Sequence, residues 1–304
     1  MLSFRSSLFI LLAATAGCSA NATSGVFTTS SGTSSEGAGG GDGAGGSGAT
    51  TTGEPGVGGS FTTGAGGGGG SVEPMIAEVW GQSPDTLYKL DPNTNAVTTI
   101  GKFKSCNSVV DIALDKDSNL YAAASGGLYK VDKTNAQCTL IASGSYPNSL
   151  SFVPAGTVDA NKEALVGYLG ADYVRIDTVT GKVTTIGKLS GGYTSSGDIV
   201  SVKDGKTLLT ANGSNCGTGD CLLEVNPTTG DLVKNWGNVK FDAVFGLAFW
   251  AGKAYGFTDA GELFEINFTA SSITSKKITI PGNLKLQFWG AGSTTSAPVD
   301  PIPQ

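Results

Sequence analysis

The chain has 304 residues, 47 of them glycine, with five cysteines, no histidine and only 14% charged residues. Without histidine, Ser-His-Asp and Cys-His nucleophiles, imidazole proton relays and the commonest zinc and haem ligand sets are excluded. A net charge of −6 gives no basic footprint, so neither nucleic acid nor an anionic membrane surface is an expected electrostatic partner.

The N-terminus reads as an address. Arg5 precedes an apolar run from Leu8 to Ala14, too short to span a bilayer, so residues 1–18 read as a cleaved export signal. Thr15-Ala16-Gly17-Cys18 places small residues before a cysteine and resembles the lipobox of bacterial lipoproteins, with Thr15 standing where leucine is usual. That resemblance implies lipidation of Cys18 and a membrane partner reached through the lipid. Ser19 lacks the aspartate of inner-membrane retention signals, which implies an outer-membrane lipoprotein facing the periplasm or the cell exterior. The alternative is an ordinary signal peptide with an incidental cysteine.

Residues 19–72 hold 20 of the glycines and only three charges, Glu36, Asp42 and Glu54. Such a segment buries too little apolar surface to offset chain entropy, which predicts a disordered linker over 19–74. A flexible coil of that length spans about 40 Å root-mean-square. Collagen is excluded because glycine does not recur at every third residue.

From Met75 to residue 295 the texture becomes short alternating apolar runs separated by turn residues, with a Pro-rich tail over 296–304. One motif recurs: Leu87-Tyr-Lys-Leu-Asp91, Leu128-Tyr-Lys-Val-Asp132, Tyr173-Val-Arg-Ile-Asp177, Leu222-Leu-Glu-Val-Asn226 and Leu263-Phe-Glu-Ile-Asn267. The Asx-to-Asx spacings are 41, 45, 49 and 41 residues, the period of a four-stranded propeller blade. The terminal Asp or Asn reads as the first residue of a tight turn rather than a metal ligand, because Asn serves equally.

Inner strands are predicted upstream at Val110–Leu114, Ser149–Phe152, Asp198–Val202 and Phe245–Phe249, and second strands at Asn119–Ala123 and Ala254–Phe257. The first unit lacks an inner strand and begins at Ile76–Trp80, while an orphan inner-type strand, Leu286–Ala291, stands at the C-terminus. Joining the two removes the exposed edges. The expected fold is all-β, a five-bladed β-propeller closed three-plus-one. The unit Val110-Asp-Ile-Ala-Leu through Leu128-Tyr-Lys-Val-Asp resembles extracytoplasmic NHL, PQQ-like and YVTN propeller repeats over residues 76–293. Quinone-binding PQQ-like repeats carry one tryptophan per blade. Here Trp80, Trp236, Trp250 and Trp289 are not equivalent, and no cofactor is implied.

After Cys18, four cysteines remain. Cys216 and Cys221 bracket a long loop and are expected to pair. Cys106 falls in a crossing between blades and Cys138 at the far end of an outer strand, which leaves their pairing open. No metal ligand set is read: Asp115–Asn119 begins like a calcium loop but lacks its glycine and distal glutamate.

The crossings between blades and the second-to-third-strand loops share one face. It would present Asn107, Asp111, Tyr146, Asn148, Tyr193, Ser196, Asp198, Phe241 and Asp242 as ligand-binding candidates. Amides, carboxylates and rings around a concavity suit a protein or carbohydrate ligand. The expected function is a monomeric, lipid-anchored binding module at the cell envelope. The alternative is a carboxylate-dependent glycoside hydrolase or lyase using Asp111, Asp198 and Asp242, with Glu262 as the one glutamate on that face.

Overall fold

The computed structural model describes residues 76–282 and 284–302. The expected signal peptide, Cys18 and the glycine-rich linker lie outside the described residues. The first three strands, β1 (Val79–Gln82), β2 (Thr86–Asp91) and β3 (Ala96–Lys102), form an antiparallel meander. Four complete four-stranded sheets follow. They are β4 (Val109–Leu114) to β7 (Gln137–Ser143), with β5 (Leu120–Ala124) and β6 (Gly127–Asp132) between, and β8 (Leu150–Val153) to β11 (Val183–Lys188), with β9 (Ala164–Leu169) and β10 (Asp172–Ile176). Next come β12 (Thr194–Ser201), β13 (Thr207–Asn212), β14 (Cys221–Val225) and β15 (Leu232–Asn238), then β16 (Val244–Trp250), β17 (Lys253–Thr258), β18 (Leu263–Phe268) and β19 (Ile273–Ile278).

The last strand, β20 (Gly290–Ser293), pairs antiparallel with β1 and gives the first blade its inner strand. The inner strands β20, β4, β8, β12 and β16 neighbour one another in a closed ring. The chain is a five-bladed β-propeller with three-plus-one closure.

The strand patterns follow from the repeat. In β6 the burial alternates so that Leu128, Tyr129 and Val131 are buried while Lys130 is exposed. The charged residue in the third place of the repeat is paired in four blades: Lys89 with Glu78, Arg175 with Asp159, Glu224 with Lys206 and Glu265 with Lys253. The Asx turns form as expected in four blades; in the fifth the Asn267 amide donates to Glu265 and Thr269 makes the turn with Ser272 instead. Asp91, Asp132, Asp177 and Asn226 each accept the N–H two residues on, from Asn93, Thr134, Val179 and Thr228.

Two local expectations change. The C-terminal inner strand runs over Gly290–Ser293 rather than Leu286–Ala291. Its Gly-Ala-Gly-Ser side chains suit the crowded ring near the axis, whereas Phe288 leaves the sheet to meet Tyr88 and Phe257 edge-on at 5.8 and 5.2 Å. An aromatic alternation that resembles a strand here fills a core pocket instead. The tail also has a structural place: Ala297, Val299 and Ile302 pack on the core shared by the first, fourth and fifth blades.

The pairing of Cys106 with Cys138 is settled by blade twist. Each strand step turns by about 20–25°, so the outer strand starts beside the crossing that enters its own blade, not opposite it. Lys104 N–H donates to Ala136 C=O at 3.0 Å, and the two cysteines are bonded with Cα atoms 5.8 Å apart. Tyr146 makes the corresponding contact in the next blade, its hydroxyl donating to Gly181 C=O at 2.9 Å.

On the opposite face, Glu78 ties the first and second blades together. Burial pushes its carboxyl up, but hydrogen bonds from Lys133, Ser118 and Lys89 outweigh that and bring it from 4.5 down to about 2. A depressed carboxyl stabilises the fold above its unfolded value and loses that contribution as the pH falls toward its folded one. Relative to a Glu78→Gln variant, the wild-type chain should therefore lose about 3 kcal/mol of unfolding free energy between pH 5 and pH 2, measured by urea titration. Parallel pH profiles for the two proteins would remove this assignment.

Candidate functional site

The inner strands bring one residue per blade to the same level of the central channel: Asp111, Ser149, Asp198, Gly246 and Gly290. Register shifts at Val109/Asp111, Ser195/Ile199 and Val244/Gly246 precede three of them, and such bulges re-aim the side chains that follow. The next residue in each blade turns its N–H inward, and two carboxyls collect all five. Asp111 accepts from Ile112 at 2.8 Å and from Leu150 of the third blade at 2.5 Å. Asp198 accepts from Ile199 and from Leu247 of the fifth blade, both at 2.7 Å, and from Ala291 of the first.

Asp111 and Asp198 are also hydrogen-bonded to one another, and both are fully buried. Two carboxyls in contact need a proton between them. Burial raises both well above the usual carboxylate range, and the charge of Asp198 adds to the rise at Asp111. The pair titrates as a unit. Its closeness depends on Gly290, where a Cβ would collide with Asp111 Oδ1 and the Gln82 amide. Gln82 is itself fully buried with neither amide atom hydrogen-bonded, and the Ser196 Oγ is likewise without a partner.

This arrangement holds blades together and is shut from solvent. Glycosidic hydrolysis requires carboxyls about 5 Å or more apart, flanking a bond that a sugar can bring between them. The third carboxylate, Asp242, lies on the exposed surface, away from the buried pair.

The other candidates lie on the crossing face in different states. Asn107 and Asn148 are exposed, and the Asn107 carbonyl accepts the Ser125 N–H at 3.1 Å. Tyr193 is 4% exposed, its hydroxyl accepting from the Asn235 amide at 2.9 Å. Tyr146 spends its hydroxyl on Gly181 as described. Phe241 stacks on Phe264 with ring centroids 3.9 Å apart.

Phe241 and Asp242 do meet a cavity. Together with Asp259, Glu262 and Lys240 they line about 540 Å³. An adjoining concavity of about 410 Å³ runs from Lys240 and Asp242 to the Cys216–Thr218 loop. That loop is held by the bonded pair Cys216–Cys221 and by Asn238, whose amide donates to Cys216 C=O at 3.1 Å and Thr218 C=O at 2.6 Å. Asp259 accepts from Gln287 and from the Trp289 indole, both at 2.8 Å.

Sequence reasoning reached Phe241, Asp242 and Glu262 but missed Lys240, Asp259 and Gln82. Asp259 was legible as part of the second-to-third-strand loop of the last blade; nothing in the sequence marks Gln82. Among the described residues no cluster of three or more Cys, Asp or Glu could hold a metal, and no helix is long and apolar enough to cross a membrane.

No protein-family model and no curated protein matches the chain. Solved structures resemble it at low identity. A gluconolactonase from Xanthomonas campestris is 12% identical over 70% of this chain and 77% of its own, with a TM-score of 0.44. A PQQ-bound aldose sugar dehydrogenase from Streptomyces coelicolor is 13% identical over 69% and 79%, with a TM-score of 0.42. The chain spans 62% of the hydrazine synthase chain of Kuenenia stuttgartiensis that it matches, at 14% identity and a TM-score of 0.37.

Proposed function

We propose that the chain is a lipid-anchored, extracytoplasmic propeller that binds a protein or glycan at the cell envelope. The observation that carries this reading is the fate of the channel carboxyls. Asp111 and Asp198 are consumed in joining blades, which removes the two channel carboxyls from the catalytic candidates, while the surface offers polar and aromatic concavities. Phe241, Asp242 and Lys240 supply the ring, carboxylate and ammonium through which such a surface recognises a partner. The lipobox-like Cys18 and the glycine-rich linker would let the propeller range about 40 Å from the membrane.

Cross-linking of the full-length protein in intact envelopes, with a glycan array of the detergent-solubilised protein, tests this reading. We expect one retained partner class that Asp242→Arg weakens, and Cys18→Ser should move the chain from the membrane to the soluble fraction. Retention of no partner in either assay would refute the binding role. Unchanged membrane fractionation of Cys18→Ser would refute the anchor.

A further inference from the structure

Four of the five seams between blades are closed at the third-to-outer-strand turn of the following blade. Ala136 C=O takes the Lys104 N–H at 3.0 Å, and Gly181 C=O takes the Tyr146 hydroxyl at 2.9 Å. Gly230 and Pro227 carbonyls take the Tyr168 and Tyr173 hydroxyls at 2.6 and 2.8 Å, and Ala270 C=O takes the Lys234 ammonium at 3.4 Å. The fifth seam, between the last blade and the first, differs. Among the described residues, the hydrogen bonds of the Asp91–Ala96 turn stay within the turn and β3, and none arrives from the fifth blade.

In place of that clamp lies a groove of about 1020 Å³, on the face opposite the crossings. Asn93 and Asn95 form one wall, and Tyr255 and Lys276 lie on the facing blade. The two side-chain amides, the Tyr255 hydroxyl and the Lys276 ammonium make no hydrogen bond among the described residues. Lys253 is already paired with Glu265 at 2.9 Å, so Lys276, opposite Glu265 in the strand register, is surplus positive charge. A solvated lysine and turn amides are ordinary on any surface. Their convergence where the other four seams are stitched shut is not.

We propose that this groove binds an acidic oligosaccharide, with a uronate carboxylate on Lys276 and sugar hydroxyls between the Asn93 and Asn95 amides and the Tyr255 hydroxyl. Neutral donors and acceptors on two blades, with one unpaired cation, match a polyhydroxylated ligand carrying isolated carboxylates. An acidic peptide added to the β19 edge fits less well, because Lys276 and Lys277 side by side blunt an edge against strand addition. The proposal rests on the reading of the chain as a binding module and adds a second site, distinct from the Phe241–Asp242 concavity.

Calorimetric titration of the full-length protein in detergent with trigalacturonate, and with maltotriose as the neutral control, tests it. Trigalacturonate is expected to bind and maltotriose to bind at least about tenfold more weakly. Lys276→Glu should lower trigalacturonate affinity about ten- to hundredfold, the worth of one charge-assisted hydrogen bond, with the fold retained by circular dichroism. Tyr255→Phe should lower it several-fold. Absence of trigalacturonate binding, or equal binding by Lys276→Glu, overturns the groove. Binding that survives Lys276→Glu and is lost with Asp242→Arg overturns the groove while keeping the binding module. Retention of neither a saccharide nor an envelope partner overturns both.

Discussion

Replacing Asp198 with leucine is expected to abolish cooperative folding. The substitution leaves three inward N–H groups, those of Ile199, Leu247 and Ala291, without an acceptor in a closed channel. Each such orphan costs about 1–3 kcal/mol, so the three together approach the whole stability of about 5–15 kcal/mol of an ordinary domain. Asp111 also loses the partner that shares its proton. Near-ultraviolet circular dichroism during heating should show no sharp transition for this variant. A melting temperature within a few degrees of wild type would disprove the role of the ring.

Asp198→Asn separates geometry from charge. It keeps one acceptor oxygen and offers an N–H to Asp111, so the fold should survive at intermediate stability. Both carboxyls have raised folded values, so the native state holds a proton that the unfolded chain has released. Stability then declines as the pH rises above the ordinary aspartate value of 3.8, because the native state binds more protons there. The asparagine variant should show a flatter decline on the alkaline side. An unchanged slope would mean that the pair does not hold its proton in the native state.

Removal of the Cys106–Cys138 bond is the second large effect. The bond closes a loop with a sequence separation of 32 residues, which in the chain-entropy treatment corresponds to about 3–4 kcal/mol. Cys106→Ser with Cys138→Ser should lower the urea midpoint accordingly, because around the lost bond only the Lys104 contacts with Ala136 and Cys138 and the hydrogen bonds of Gln137 remain, with Glu78 tying the two blades elsewhere in the seam. The Cys216–Cys221 bond spans a separation of only five residues and should matter less to global stability. If the pair of serines at 216 and 221 costs more than the pair at 106 and 138, the seam is not where the ring is weakest.

Much of the architecture is local and therefore legible. In four blades the Asx residue closing the third strand forms its turn from its own side chain, so Asp91, Asp132, Asp177 and Asn226 mark those blades whatever surrounds them. The missing inner strand of the first unit and the spare one at the C-terminus signal ring closure, because an unpaired strand edge has to find a partner. The strand ends were less readable. Phe288 alternates like a strand residue, yet its destination is a pocket between Tyr88 and Phe257 that exists only after the blades have packed.

The candidate site divides the same way. Asp111, Asp198, Phe241 and Asp242 stand out as chemistry-bearing residues in the sequence, but composition cannot say that two of these carboxyls meet across the axis and face no solvent. That follows from five backbone N–H groups converging where the inner strands crowd together, and from a glycine at position 290 that leaves room for the crossing carboxyl. The seam groove was invisible in the same sense. Asn93, Asn95, Tyr255 and Lys276 lie far apart along the chain, and only ring closure sets the first blade's turn beside the last blade's face.

The recurring strand-and-turn motif and the absent histidine, by themselves, determined a repeat scaffold and excluded imidazole chemistry, because these depend on residue type and local period. Tertiary structure decided which carboxylates are buried, which cysteines meet and which seam stays open, because those depend on twist and closure summed over the whole ring.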